Sequence, residues 1–171
     1  MNEESRHKVA EMRLIYRNPQ PPEIRVKIKS SYSAADVLRK HYPEDQMDCK
    51  EFVKVILMNK ASEVLGCVQI AEGGKSGAYV DVGSIVQSAL LANASEIILS
   101  HNHPSGSLKP SAEDLNLTRR LEDACLIMGI TMTDHIILTS HGHYSFADEG
   151  ILDKSRTDNH FKARVSEVFM L

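Results

Sequence analysis

Two histidines stand two residues apart in the run Ser100-His101-Asn102-His103-Pro104, and Ser111 and Asp114 follow within fourteen residues of the first imidazole. On an extended segment, side chains at i and i+2 leave the same face, so both rings can converge on one ion without bending the backbone. Two imidazoles and a carboxylate, with a fourth position left to water, are a catalytic metal set rather than a closed structural one. The residue types therefore predict a metal-dependent hydrolase in which His101, His103 and Asp114 are the ligands. Ser111 reads first as a helix N-cap; facing the open metal position, its hydroxyl can also donate to the oxyanion formed when water adds to a carbonyl.

The elements around these residues must bring them together. Glu96 to His103 reads as a strand whose run Ile97-Ile98-Leu99 is apolar on both faces, as in a central strand covered on each side, and it ends in the two histidines. Ser111 opens a helix to about Met128, with Asp114 completing a capping box, Gly129 terminating it, and Leu117, Leu121, Ala124, Cys125 and Met128 as its apolar stripe. Upstream, Ile24, Val26 and Ile28 alternate like a half-buried strand, and Ser33 caps a helix from Ala34 to about His41 that Pro43 ends. Glu51 to Met58 and Val64 to Ala71 form a hairpin, and Gly73, Gly74 and Gly77 mark the loop after it. Asp81 caps a helix to about Ala94, with Val82, Ile85, Val86, Ala89 and Leu90 on its apolar face. Ile130 to Thr139 and Tyr144 to Ala147 close the sheet around a Ser-His-Gly-His turn. The expected architecture is one compact α/β domain at residues 24–150, a central mixed sheet with helices on both faces, between an N-terminal arm at 1–23 and a charged tail at 151–171.

Composition narrows the function classes. At 171 residues and 42% hydrophobic side chains the chain holds one domain with a core, and a net charge of −3 offers no general field for binding phosphates. Basic residues do cluster in the arm (Arg13, Arg17, Arg25, Lys27, Lys29) and tail (Lys154, Arg156, Lys162, Arg164), where acidic neighbours balance them. Cys49, Cys67 and Cys125 are odd in number and form no Cys-x-x-Cys pair, which predicts neither a disulfide framework nor a cysteine zinc knuckle. Met1 to Arg13 has no apolar core of a secretory signal and no stretch has the length of a membrane span, so the expectation by exclusion is a cytoplasmic protein without membrane contact. His141 and His143 also have ligand spacing, but their place in a hairpin turn explains their polarity, and His135 within a closing strand reads as structural or as orienting a ligand. A zinc nucleoside deaminase is set aside, because its His-x-Glu and Pro-Cys-x-x-Cys signatures do not occur.

The pattern His101-x-His103, ten residues, Asp114, with Ser111 three before the aspartate, resembles the JAMM (MPN+) metalloprotease motif. The longer string from Ser100 to Gly106, then Pro110-Ser111, Asp114 and Thr118, with Asp134-His135-Ile136-Ile137, resembles the RadC branch of that superfamily, over roughly Glu51 to Ala147. The resemblance implies a JAB/MPN-like, cytidine-deaminase-like domain holding one zinc per chain, with Ser111 supporting the oxyanion and an upstream glutamate carrying the proton of the attacking water. Glu51 best matches that position; Glu63, Glu72 and Glu96 are its rivals. The implied reaction is hydrolysis of an amide, peptide or isopeptide, with a peptide or protein as substrate. Two alternatives stay open: a DNA-repair-associated accessory module that binds nucleic acid or a protein partner without peptidase turnover, and a metal-bearing scaffold. The helix-hairpin-helix region usual in RadC-type chains has no counterpart in the N-terminal segment, and every ligand residue of the motif is present.

Overall fold

The computed structural model describes residues 21–73 and 79–152. The elements are α1 (Ser31–Arg39), β1 (Glu51–Met58), β2 (Val64–Gly73), α2 (Val82–Leu91), β3 (Glu96–Asn102), α3 (Ala112–Ile127), β4 (Thr131–Leu138) and β5 (His143–Ser145). They build one mixed sheet in the order β2-β1-β3-β4-β5, in which β3 and β4 run parallel and the other neighbours antiparallel. The parallel pair is joined by α3, a crossover that sets the N-terminus of α3 beside the carboxyl end of β3.

Period-two alternation sorts the sheet residues onto two cores. Val53, Val55 and Leu57 of β1, with Ile97 and Leu99 of β3, pack against Ile85 and Ala89 of α2 and Leu121 and Cys125 of α3. Ile56 and Met58, with Ile98, Ile136 and Leu138, pack against Ala34, Ala35, Val37 and Leu38 of α1. The sheet is thus covered by helices on both faces, as expected of a buried central strand at β3. Among the described residues no helix is long and apolar enough to cross a membrane.

Local chemistry revises several boundaries. No strand forms at Ile24 to Ile28: Pro22–Ile24 is a 3-10 turn, Lys27 makes an isolated bridge to Glu63, and Ile24 and Val26 are 64% and 51% exposed. Only Ile28 packs against the core of α1, and pairing stops at the bonds from the Ile28 N–H to Ser62 and from the Val64 N–H to Val26, so the alternation does not extend into a strand. Ser30, not Ser33, is the N-cap of α1; Ser33 is the reciprocal partner in a capping box, and the helix ends at Arg39, before His41. Asp81 caps α2 through the N–H groups of Gly83 and Ser84, but the helix stops at Leu91, with Asn93 at φ 52°, and Leu90 faces outward. On α3 the buried stripe is Asp114, Thr118, Leu121 and Cys125, and Met128 is exposed. Most of the N-terminal arm, including Arg13 and Arg17, and the tail from Asp153 lie outside the described residues.

Candidate metal centre

His101 is the penultimate residue of β3, opposite Val53 of β1 and Ile137 of β4, and is 2% exposed. His103 follows the strand, its N–H donating to the carbonyl of Leu138 at 2.9 Å. Between them Asn102 points to the opposite face: its Oδ1 accepts from the Phe52 N–H at 2.7 Å and its Nδ2 donates to the carbonyls of Met47 and Lys50. Strand parity thus aims two imidazoles at the cleft while the amide between them ties the end of β3 to the start of β1. Asp114 comes from the first turn of α3, where the Ser111 N–H donates to its Oδ2 at 2.7 Å and its own N–H donates to Ser111 Oγ at 3.1 Å. The cap that starts the helix therefore also holds the carboxylate toward the histidines.

The three side chains meet. His101 Nε2 lies 2.9 Å from His103 Nε2 and 3.1 Å from Asp114 Oδ1, and His103 Nε2 lies 3.5 Å from Asp114 Oδ2. Ligands about 2.0–2.1 Å from a tetrahedral zinc stand about 3.3 Å from one another, so these separations suit one small cation. His103 Nδ1 faces the Ser107 carbonyl at 2.8 Å. A carbonyl only accepts, so the neutral ring carries its hydrogen on Nδ1 and turns a bare Nε2 to the cluster. Burial pushes the Asp114 carboxyl up, but the His101 and His103 rings in their protonated form, whose Nε2 atoms face it, together with the Ser111 N–H hold it well below the usual carboxylate range. The same carboxylate raises the His103 imidazole, against its desolvation. Both directions describe a site that favours positive charge, and the donor set can hold a metal ion.

The cluster opens into a cleft of about 770 Å³ lined also by Glu51, Val53, Tyr79, Val80, Ser111, Glu113, Asn116, Leu117 and Arg120. Glu51 begins β1 two residues before Val53 and so shares the face that His101 occupies across the β1–β3 pairing. Its charge acts on His103. The rivals sit elsewhere: Glu63 accepts from Asn59 and Glu96 from Ser62 at the far end of the sheet, and Glu72 ion-pairs with Lys50 at 2.7 Å. Ser111 Oγ uses a lone pair on the Asp114 N–H, which leaves its hydroxyl hydrogen to give. His135 is fully buried behind His101, and burial holds its imidazole well below the ordinary value. His141 is exposed, and His143 stacks edge-on with Tyr32 at 4.8 Å, so neither joins the cluster. Sequence reasoning missed Asn102, Glu113 and Arg120, whose places follow only from which strands and helices become neighbours.

A family model described as RadC-like JAB domain matches residues 28–151. A UPF0758 protein of Porphyromonas gingivalis is 40% identical over 104 residues, which are 60% of this chain and 46% of that protein. One from Salinibacter ruber is 39% identical over 104 residues, 61% of this chain and 45% of that protein. One from Geotalea uraniireducens is 35% identical over 120 residues, 70% of this chain and 53% of that protein. The chain spans about half the length of the curated relatives it matches, and their names state no activity.

Proposed function

The chain belongs to the RadC-like JAB domain family, and from that premise we propose that it is a zinc-dependent hydrolase of amide bonds, with a peptide or protein as substrate. The observation that carries this reading is the convergence of His101, His103 and Asp114 in a cleft that Glu51 and Ser111 also line. Zinc, when bound, supplies Lewis acidity that polarises a carbonyl and brings the pKa of water toward about 7.

The protein's own groups do the rest. His101 and His103 offer Nε2, and Asp114 offers a carboxylate kept ionised by its hydrogen bonds. Glu51 takes a proton from the attacking water on its carboxylate as the oxygen bonds to the amide carbon. It then gives that proton to the departing nitrogen as the C–N bond breaks, so the carboxylate is restored. Ser111 Oγ–H donates to the carbonyl oxygen while negative charge develops there. The alternative of a nucleic-acid module has less support, because Glu51, Glu113 and Asp114 face the cleft against one cation, Arg120, among its described lining residues.

Protein purified without chelator is expected to carry close to one zinc per chain and to cleave members of a peptide library in a chelator-sensitive way. A metal-free preparation that gains no zinc on dialysis against the ion overturns the reading. Ser111→Ala is expected to lower kcat by about 10²–10³ through the lost oxyanion donor, and stability by about 1 kcal/mol through the lost cap. Steady-state kinetics together with urea unfolding separate the two effects; a stability loss with unchanged kcat confines Ser111 to capping.

A further inference from the structure

Behind the cluster runs a buried chain of hydrogen bonds that the spacing of the three candidate ligands does not require. His135 of β4 lies beside Leu99 of β3, fully buried, with its Nε2 2.9 Å from His101 Nδ1. Its Nδ1 is 2.7 Å from Thr118 Oγ1, and Thr118 Oγ1 is 2.7 Å from the main-chain carbonyl of Asp114, one turn back on α3. The ring of Phe146 stacks on His135 at 4.4 Å and 25°, which restricts rotation of the imidazole away from its two partners.

Only one distribution of hydrogens satisfies this chain. The Asp114 carbonyl cannot donate, so the Thr118 hydroxyl gives it its hydrogen. Turning that hydrogen toward His135 would leave two oxygen lone pairs facing each other at 2.7 Å. Thr118 Oγ1 is therefore the acceptor toward His135, and the hydrogen between them sits on His135 Nδ1. No carboxylate is within hydrogen-bond reach of the His135 ring nitrogens among the described residues, and an unpaired imidazolium in the core is strongly disfavoured, so His135 Nε2 is bare. A bare Nε2 needs a donor, and the atom opposite is His101 Nδ1. His101 thus carries its hydrogen on Nδ1, and the neutral ring presents a bare Nε2 to Asp114 and His103.

We propose that Thr118 and His135 are positioning residues that set the tautomer of His101, delivering its Nε2 to the cluster in the form that binds a cation. The value of that form rests on the metal reading of the cluster; the hydrogen arrangement itself does not. Asp114 acts at both ends of the device, its carboxylate inside the cluster and its main-chain carbonyl anchoring the chain that orients a second member. His103 reaches the same tautomer by another route, the Ser107 carbonyl in an exposed loop, so the buried chain serves the histidine that solvent does not reach.

Long-range 1H–15N correlation spectra of the imidazoles in metal-free protein at neutral pH test the arrangement directly. Hydrogen on Nδ1 of both His101 and His135 is the expected result; hydrogen on His135 Nε2, or on both its nitrogens, overturns it. Zinc affinity read by competition with a chromophoric chelator adds a functional arm. Thr118→Val, which keeps the shape and loses the hydroxyl, is expected to weaken zinc binding about 10–100-fold, and Thr118→Ser to restore most of it. Equal affinity in the three proteins overturns the positioning role. Should Thr118→Val not fold, the wild-type spectrum decides alone. Wild-type protein with the assigned tautomers but no zinc binding would remove the metal reading while leaving the hydrogen chain standing.

Discussion

Glu51→Gln is expected to lower turnover by about 10²–10⁴ while leaving zinc content and folding unchanged. The amide matches the carboxylate in size but cannot take the proton of the attacking water, so the variant separates proton transfer from structure. Geometry favours Glu51 for the task. It opens β1 on the face shared with His101, it lines the cleft, and among the described residues no hydrogen bond engages its carboxylate. A half-buried carboxylate without a partner is costly to keep for structure alone. Glu113 lines the same cleft from the exposed side of the first turn of α3, where the helix dipole accounts for it. Glu113→Gln is therefore expected to change kcat by less than threefold, and Glu72→Gln, which breaks only an exposed ion pair, to do no more. Single-turnover kinetics on a cleaved peptide, with metal content measured on the same samples, check the set. Wild-type rates in Glu51→Gln with loss in Glu113→Gln would move the proton carrier to α3.

The choice among four glutamates shows where the sequence stops being readable. His101, His103 and Asp114 could be grouped from residue order, because strand parity and a capping box are local rules that operate within a few residues. The sheet with helices on both faces was likewise legible, since the apolar runs of β1 and β3 have no polar face to spare. Selecting Glu51 over Glu63, Glu72 and Glu96 from residues alone requires the register that sets Val53 against His101, a pairing across 48 residues. Asn102 is hidden for the same reason: its amide bonds backbone at Met47, Lys50 and Phe52, which no local pattern announces. Thr118 belongs to the string that resembles the RadC branch, but its role is not legible until β4 brings His135 to it. Near the N-terminus the ambiguity is of another kind. Ser30 and Ser33 are both competent caps, and a reciprocal box leaves their order undecided without coordinates.

His103→Ala is expected to reduce zinc from about one per chain to a trace after dialysis, and the reason lies in how few donors remain. His101 and Asp114 alone leave two protein ligands, below the three that a catalytic zinc site keeps. The substitution should spare the fold, because His103 lies just past the end of β3 and the backbone bond that docks it to Leu138 is retained. Removing an imidazole also ends the approach of two Nε2 atoms at 2.9 Å, a contact that no cation offsets in metal-free protein. The same substitution removes the imidazole that pairs with Asp114, so the two effects oppose each other and thermal melts without metal are expected to show the variant close to wild type. With zinc the two separate: a ligand at 100 times its dissociation constant stabilises wild type by about 2.7 kcal/mol, and the variant gains almost none of this. His141→Ala, which alters an exposed turn histidine outside the cluster, is expected to keep both its zinc and its zinc-dependent shift. Elemental analysis and paired melts read all of these outcomes, and full zinc retention by His103→Ala would end the assignment of this cluster as the metal centre.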